Sequence, residues 1–575
     1  MQTKITIASM NAKEKLCISG VGCDITDSNR LYYKMEYAGR EAIVARDKFE
    51  ERGKPLKDQF SRELQYPMLR RSSEEAVLSM VEKYEFKHGI SDERDFTVAS
   101  GFGWQKDKVY ITQRSSFMAT NDHIVVSRET DSELERKWAV RGTLEEWQKH
   151  IAKPCGEHVH LAFDIMCAFV PPLLRPLREG GFCFNTPGAA GSGKTTKSLI
   201  AGSVWGSTGD DRGFLEKWRT TDNAIEDIAC QHNDILACMD DISCLPGSPQ
   251  QKATTMVDSI FCYTGGRGKN RKNGGTPVEW NGVMLSSSNK SGFDLLNEAG
   301  RIWSDEHMDR FLEIPIGNKG DNGRESVLDF LPDGYSSHKH YIDGYLHKKV
   351  RRYYGTAIDV FMERFCEECK DKQKRSQRLK WLRKRVSYFI KWCEKNRQGG
   401  RGRPERRFAL VYAAGMLAKK YGVLPWSRKR IFKVVVACYT LHFNFVRQHR
   451  PVRPEVAVAE YIRQNKKRFI KLPDDMQDMS DEELNDCPGF RFEKQGQKCF
   501  WIPEKVFIRG FMGKYEANLL WDSLGKSLVT ERNGKTKDGT PKIRRLLNRK
   551  VRTNQKTDPG YAIKASILSD VPLQS

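Results

Sequence analysis

The 575-residue sequence predicts an α/β fold with a mainly parallel sheet, flanked by a β-rich N-terminal domain, a helical region and a C-terminal winged helix. Three stretches carry that expectation. "FCFNTPGAAGSGKTTKSLIAG" (182–202) reads as a strand, a glycine-rich turn and a helix. "NDILACMDDI" (233–242) and "NGVMLSSSN" (281–289) read as two more apolar strands that end in polar residues. Strands alternating with helices form parallel sheets covered on both faces.

The elements divide the chain into four segments. Residues 1–140 alternate short apolar runs with turns, as in "KVYITQRSS" and "HIVVSRET", and predict a mixed, β-rich domain. The α/β core runs over 141–334. It opens on Thr143 with a glutamate three residues later, a capping box. Residues 335–450 carry helical periodicity, as in "QRLKWLRKRVSYFIKWCEK" and "RRFALVYAAGMLAKKYG", broken at "RQGGRGRPE". Residues 451–575 end in "KIRRLLNRKVRTNQKTDPGYAIKASIL". A helix, a basic strand, a turn at Asp558-Pro559-Gly560 and a second strand predict a winged helix there.

Composition narrows the partner. Lys and Arg number 97 against 74 Asp and Glu, a formal net charge of +23, which favours a polyanion. Nucleic acid is expected rather than membrane, since no apolar run of about 18 residues occurs. The N-terminus lacks the apolar region of a secretory signal, so a cytoplasmic location is expected. Fifteen cysteines are scattered. Only Cys366 and Cys369 have metal-type spacing, with no second pair to complete a zinc site, so they are expected as structural or free thiols.

Gly188, Ala189, Ala190, Gly191, Ser192, Gly193, Lys194 and Thr195 match the phosphate-binding pattern G-x-x-x-x-G-K-[ST] in full, with Thr196 continuing into the helix. Glycines let backbone N–H groups curl around phosphate oxygens, and the helix N-terminus adds its positive dipole end. Lys194 is expected to reach the β- and γ-phosphates of ATP and the Thr195 hydroxyl to ligate Mg²⁺. Asp240 and Asp241 end the next apolar strand, at the edge where α/β sheets bind ligands. Asp240 is expected to hold Mg²⁺ through water and Asp241 to orient or deprotonate the attacking water. Asn289, ending the following strand, is expected to position that water; in ATPases of the AAA+ type this strand lies between the phosphate-loop strand and the acid strand. Arg310, in "HMDRFLEIP", reads either as an arginine finger for a neighbouring subunit's ATP or as a structural salt bridge.

Between the acid strand and the next lies "GGRGKNRKNGG" (265–275), with Arg267, Lys269, Arg271 and Lys272 among five glycines. It reads as the tip of a hairpin that, in a ring ATPase, faces the pore and tracks phosphates. Two further basic regions follow. Residues 372–407 carry 15 Lys and Arg against two acids, interleaved with Trp381, Tyr388, Phe389 and Trp392, whose helical spacing favours core over base stacking. Residues 526–556 carry 11 against two, and Arg544, Arg545, Arg549, Lys550 and Arg552 are the expected DNA contacts of the winged helix.

With these residues in place, the chain resembles the helicase-like AAA+ ATPases of unknown function found on phages, integrative elements and cassette chromosomes, which are similar to MCM replicative helicases. The resemblance rests on "GTLEEWQKHIAKPC", "GGFCFNTPGAAGSGKTTKSLIAGSVWG", "KWRTTDNAIEDIACQHNDILACMDDIS", "GGRGKNR", "LSSSNK", "DRFLEIP" and "RRFALVYAAGMLA", spanning about 95–425. It implies an ATP-dependent DNA helicase, a hexameric ring on single-stranded or forked DNA, in replication of a phage or mobile element. It also implies Lys269 and Arg271 as pore contacts and Arg310 as the finger in trans. Two departures stand out: Asp241 takes the place of the usual glutamate, and no primase-type segment precedes the ATPase, so priming would need a separate primase or polymerase partner. The competing readings are a DNA-binding ATPase switch that regulates transposition or integration without unwinding, and a DNA-binding initiator that uses ATP only to assemble.

Overall fold

In the computed structural model the described residues are 5–7, 15–51, 54–66, 71–88, 94–127, 132–209, 213–218, 222–268, 278–317, 325–396, 402–449, 453–494, 496–512, 515, 517–535, 541–554 and 557–571. The chain divides into two compact units. The first comprises 1–245, 256–289 and 310–444, the second 246–255, 290–309 and 445–575.

In the first unit, the N-terminal strands are β1 (Ile5–Ile7), β2 (Leu16–Asp24), β3 (Leu31–Tyr37), β4 (Arg40–Ala45), β5 (Phe96–Ala99), β6 (Gly103–Gln105), β7 (Val109–Ile111), β8 (Ser116–Met118) and β9 (Ile124–Val126). They form a six-stranded sheet, β4-β3-β2-β5-β9 with β1 on β2, and a three-stranded sheet β6-β7-β8. β2 and β3 alternate buried and half-buried residues, the signature of a sheet with one face on a core. That core includes Tyr33, Met35, Phe49, Phe60 and Val77.

The central sheet is built from β10 (Phe182–Pro187), β11 (Leu215–Lys217), β12 (Ile235–Asp240), β13 (Gly282–Ser288) and β14 (Phe311–Glu313). Its order is β11-β12-β13-β10-β14, and every neighbouring pair is parallel. All residues of β10 and β13 are buried, as a sheet covered on both faces requires. The helix Val159–Cys167 is apolar almost all round and buried beneath this sheet. Among the described residues no single helix is long and apolar enough to cross a membrane. The capping box read at Thr143 is present: Glu146 N–H donates to Thr143 Oγ1 at 3.2 Å, and Thr143 N–H to the Glu146 carboxylate at 3.0 Å.

Long helices complete the unit: Thr356–Lys370, Lys372–Lys395, Arg403–Lys420 and, as far as residue 444, Arg428–His449. Cys366 and Cys369 lie buried in the first of these, and burial pushes both thiols up. Phe389 is buried in the helical core and Trp381 and Trp392 are partly so, whereas Tyr388 is 52% exposed.

The N-terminal segment is tied to the central sheet by polar contacts that its sequence does not announce. Arg114 uses all five guanidinium N–H groups. Nη1 donates to the carbonyls of Trp138 (2.9 Å) and Trp205 (2.6 Å), Nη2 to Gly355 O (2.6 Å) and Asp359 Oδ1 (2.9 Å), and Nε to Asp359 Oδ2 (3.2 Å). The buried Asp234, one residue before β12, accepts from Trp104 N–H at 3.0 Å and Arg175 Nε at 2.7 Å, while its carbonyl accepts from Tyr110 at 2.7 Å.

In the second unit, β15 (Ile470–Lys471), β16 (Phe490–Lys494), β17 (Gln497–Pro503), β20 (Leu546–Arg549) and β21 (Asp558–Lys564) form a sheet ordered β15-β16-β17-β21-β20. β18 (Glu531–Lys535) and β19 (Pro541–Arg544) pair as a separate antiparallel ribbon. Helices Pro454–Asn465 and Ala517–Leu524 contribute Val458, Ile462, Leu520 and Leu524 to a core with Phe500, Phe507 and Ile563. Asp558-Pro559-Gly560 is not a turn, in contrast to the expectation from sequence. It opens β21, with Asp558 opposite Arg549 and Gly560 opposite Leu547. Proline is tolerated there because it sits near the strand's start.

Arg114→Ala should remove the clamp and leave the Asp359 carboxylate and three carbonyls without their donor. The expected loss is about 3 kcal/mol, read as a lower thermal midpoint in tryptophan fluorescence. Arg114→Lys should not restore it, because an ammonium cannot fill five directions. An unchanged midpoint for Arg114→Ala would show the clamp to be inert.

Candidate nucleotide site

The glycine-rich loop leaves β10 at Pro187 and enters the helix Lys194–Gly202. Gly191 and Gly193 have φ of 79° and 95°, a region that disfavours side chains. A Cβ on Gly193 would also stand 2.6 Å from Val327 Cγ2. The loop therefore turns tightly into the helix, with Gly193 packed against Val327.

Lys194 is largely buried, and its ammonium donates to Gly188 O (2.7 Å), Ala189 O (2.8 Å) and Asn289 Oδ1 (3.1 Å). Burial lowers its pKa, opposed by the charges of Asp241, Asp240 and Glu325. Asp240 closes the site from β12. The Thr195 hydroxyl lies 3.3 and 3.2 Å from its two carboxylate oxygens, and Ser287 of β13 donates to Oδ1 at 2.6 Å. Ser287 Oγ in turn accepts from Asp241 N–H at 3.0 Å, so one serine links both acids. Asp241 has φ 54° and caps the turn Ile242–Cys244, accepting from Ser243 N–H at 3.0 Å and lying 3.4 Å from Cys244 Sγ.

The structure thus brings Lys194, Thr195, Asp240, Asp241 and Asn289 to one edge of the sheet. It also adds residues that sequence reasoning misses. Ser287 stands in the polar run "LSSSN", a signal strong enough to have marked it. Glu325 accepts the Ala189 N–H at 2.6 Å, and Val327 N–H donates to Ser192 O at 2.9 Å, so segment 325–328 runs along the loop. His347 Nε2 meets the Thr196 hydroxyl at 2.7 Å; burial lowers its pKa while Asp343 opposes. Behind the loop helix, buried Lys197 pairs with Asp164 at 3.1 Å and also contacts Thr186. Burial raises the Asp164 carboxyl to about 6 against the pull of Lys197. No local pattern marks Glu325, His347 or Asp164.

Arg310 is not gathered with these groups. Its guanidinium lies over the Phe261 ring at 4.5 Å, and Nη1 is 3.4 Å from Thr264 Oγ1. The hairpin expected between β12 and β13 has a visible stem: Arg267 forms a β-bridge with Glu279, Gly268 N–H donates to Val278 O at 2.9 Å, and Trp280 N–H to Gly266 O at 3.0 Å. Arg267 is exposed on that stem; Lys269, Arg271 and Lys272 lie outside the described residues.

Of the C-terminal arginines, Arg552 departs from its expected role. It is 2% exposed, and its guanidinium is held by Asp558 (3.1 and 2.5 Å), Asp481 (2.9 Å) and Met479 O (2.9 Å). A buried cation so fully engaged is a structural clamp, not a phosphate contact. Arg545 lies over Trp521 at 5.2 Å, Arg549 over Phe492 at 4.8 Å, and Lys550 is exposed. Arg544 ends β19.

The residues present fit ATP with Mg²⁺. Backbone N–H groups, a lysine and a helix N-terminus suit a phosphate chain. Thr195 and Asp240, a hydroxyl and a carboxylate within 3.3 Å of one another, are the hard oxygen donors that magnesium takes alongside water and phosphate. Among the described residues no group of three or more His, Cys, Asp or Glu side chains could hold a metal by itself.

Residues 69–276 match a family model described as a domain of unknown function, DUF927. No curated protein matches the chain. Among solved structures, the chain is similar to one described as the active helicase Cch of SCCmec type IV, with 15% identity and a TM-score of 0.62 over 98% of this chain and 97% of that one. At that identity the likeness is one of fold. The apo C-terminal region of NrS-1 aligns at 11% identity with a TM-score of 0.29, over 95% of this chain and 96% of that one.

Glu325→Gln should tighten binding of ATP several-fold or more, since a carboxylate hydrogen-bonded to a loop amide repels an incoming phosphate by at least about 1 kcal/mol, the value for unit charges about 4 Å apart in water. Titration with a fluorescent ATP analogue measures it. Unchanged or weaker binding would show that Glu325 does not compete for the loop.

Proposed function

We propose that the chain is an ATP-dependent DNA helicase or translocase built on an AAA+ core, working as a hexameric ring in replication of a mobile element or phage. The observation that supports it most is the placement of β13 between β10 and β12. That order brings Asn289 to Lys194 and Ser287 to Asp240, on the strand between phosphate loop and acids.

On this reading Lys194 exchanges its loop carbonyls for the β- and γ-phosphate oxygens. Thr195, and Asp240 through water, would hold Mg²⁺, whose charge would offset that developing on the phosphates. Asp241 and Asn289 flank the water's approach, Asn289 fixing its orientation and Asp241 accepting its proton. Arg310, away from the groups around its own Lys194, serves the ATP of a neighbouring subunit. The stem carrying Arg267 presents Lys269, Arg271 and Lys272 to DNA in the pore, and Arg544, Arg545, Arg549 and Lys550 give a winged-helix unit its DNA contacts.

One observation favours a second reading, an ATPase switch that regulates transposition or integration without unwinding. The Asp241 carboxylate already caps its own turn, so its reach toward water costs that cap, and turnover would be slow.

Lys194→Ala should lower ATPase activity by on the order of 10²-fold or more, the scale of losing a charge that stabilises the transition state. Mixing Lys194→Ala with Arg310→Ala subunits should recover part of that activity, because some interfaces then pair an intact loop with an intact finger. No recovery at any ratio would refute the finger in trans. Turnover without strand displacement on forked DNA would favour the switch.

A further inference from the structure

The helix Lys372–Lys395 has two faces of opposite character. Leu382, Val386, Phe389 and Cys393 are buried against the helical core. The opposite face exposes Lys380, Arg383, Lys384 and Lys391, and residues 372–393 contain no acid at all. These four positions recur at intervals of three, four and seven residues, so they fall on one stripe. Lys380 and Lys391 are about 16 Å apart along the axis at 1.5 Å per residue.

Two observations separate this stripe from an ordinary solvated face. The first concerns its charges. Nearer the helix's start, Arg375 pairs with Asp107 at 2.7 Å and Arg378 with Glu368 at 2.6 Å. Among the described residues none of the four stripe cations has an ion pair. Lys380 and Lys384 are like charges one turn apart, which weakens a helix. A glutamate at either place would relieve it. The second observation is Tyr388, the exposed aromatic on the same face. Its ring packs at 6.0 Å from Tyr412 and 5.8 Å from Phe432, which fixes its orientation while leaving it 52% exposed. Tyr388, Lys380, Arg383, Lys384, Ser387 and Lys391 line a common shallow groove of about 620 Å³.

A row of uncompensated cations around a rigid, half-anchored aromatic is the combination that binds a single strand: charge follows the phosphates and a ring takes an unpaired base. We infer that this stripe is a second DNA-binding surface, contacting single-stranded DNA through Lys380, Arg383, Lys384 and Lys391 with a base stacked on Tyr388. The choice of DNA as the polyanion rests on the proposed function.

The test is fluorescence anisotropy of the full chain with a labelled 20-nucleotide single strand across a salt series. Lys380→Gln, Arg383→Gln, Lys384→Gln and Lys391→Gln combined should flatten the slope of log affinity against log salt by about 0.7 for each phosphate no longer neutralised, and weaken binding at 0.1 M salt on the order of tenfold or more. Its thermal midpoint should not fall below that of wild type, since Lys380 and Lys384 no longer repel, and ATPase activity without DNA should be unchanged. Tyr388→Ala should lose about tenfold on the single strand but little on a blunt duplex, with Tyr388→Phe retaining affinity. An unchanged salt slope in the quadruple variant overturns the inference. So does a variant that loses binding to phosphatidylglycerol vesicles while keeping DNA affinity. Equal loss on single strand and duplex for Tyr388→Ala overturns the single-strand assignment. Failure of the two ideas is distinguishable. Normal DNA-stimulated ATPase with unaltered binding by the quadruple variant sinks only the stripe. Stripe-dependent binding without DNA-stimulated ATPase sinks the translocase reading and keeps the stripe.

Discussion

Asp240 is reached from both sides, by Thr195 from the loop after β10 and by Ser287 from β13. Both contacts exist only because β13 separates β10 from β12. If β10 paired directly with β12, loop and acid would crowd each other and Asn289 would have no route to Lys194. The register makes the demand sharper: Pro187 lies opposite Ser288 and Met239 opposite Ser286, so the three strands end within a residue or two of one level. A slip of one residue would turn Ser287 to the other face of the sheet.

The acid strand is anchored at its other end as well. Asp234 has φ 55° and precedes β12 directly. Burial raises its carboxyl to about 7 against the pull of Arg175. It gathers groups from the N-terminal three-stranded sheet and from the helix Pro171–Leu177. Residues 103–118 therefore belong mechanically to the central sheet, although their sequence reads with the N-terminal strands. Arg114 extends that union to Asp359, 245 positions away. Movement of the N-terminal segment as a free body would break contacts that set where β12 begins.

Whatever repeats locally is legible in the sequence. The strand, glycine-rich loop and helix of 182–202, both apolar strands, the Thr143 capping box and the hairpin stem each depend on residues a few positions apart, where turn chemistry and periodicity operate. Helical spacing groups Tyr388 with Phe389 as core, because spacing alone cannot say which side of a helix is covered; the structure separates the two neighbours. Glu325, His347, Asp164 and Arg114 give no signal, since their partners lie on other elements, brought near only by the fold. Arg552 misleads for the opposite reason. It sits in a basic run, and only the fold shows that Asp481 and Asp558 meet it. Asp558-Pro559-Gly560 has turn-forming residues, yet pairing across to β20 draws it into a strand.

The ammonium of Lys194 is saturated by its own surroundings: two loop carbonyls and the Asn289 amide oxygen take its three protons. Capture of a phosphate at this lysine is therefore a substitution of one set of acceptors for another, and its net strength is a difference between two well-made sets. On the proposed reading the same substitution would release Asn289, so the amide that follows β13 would change partner together with the lysine.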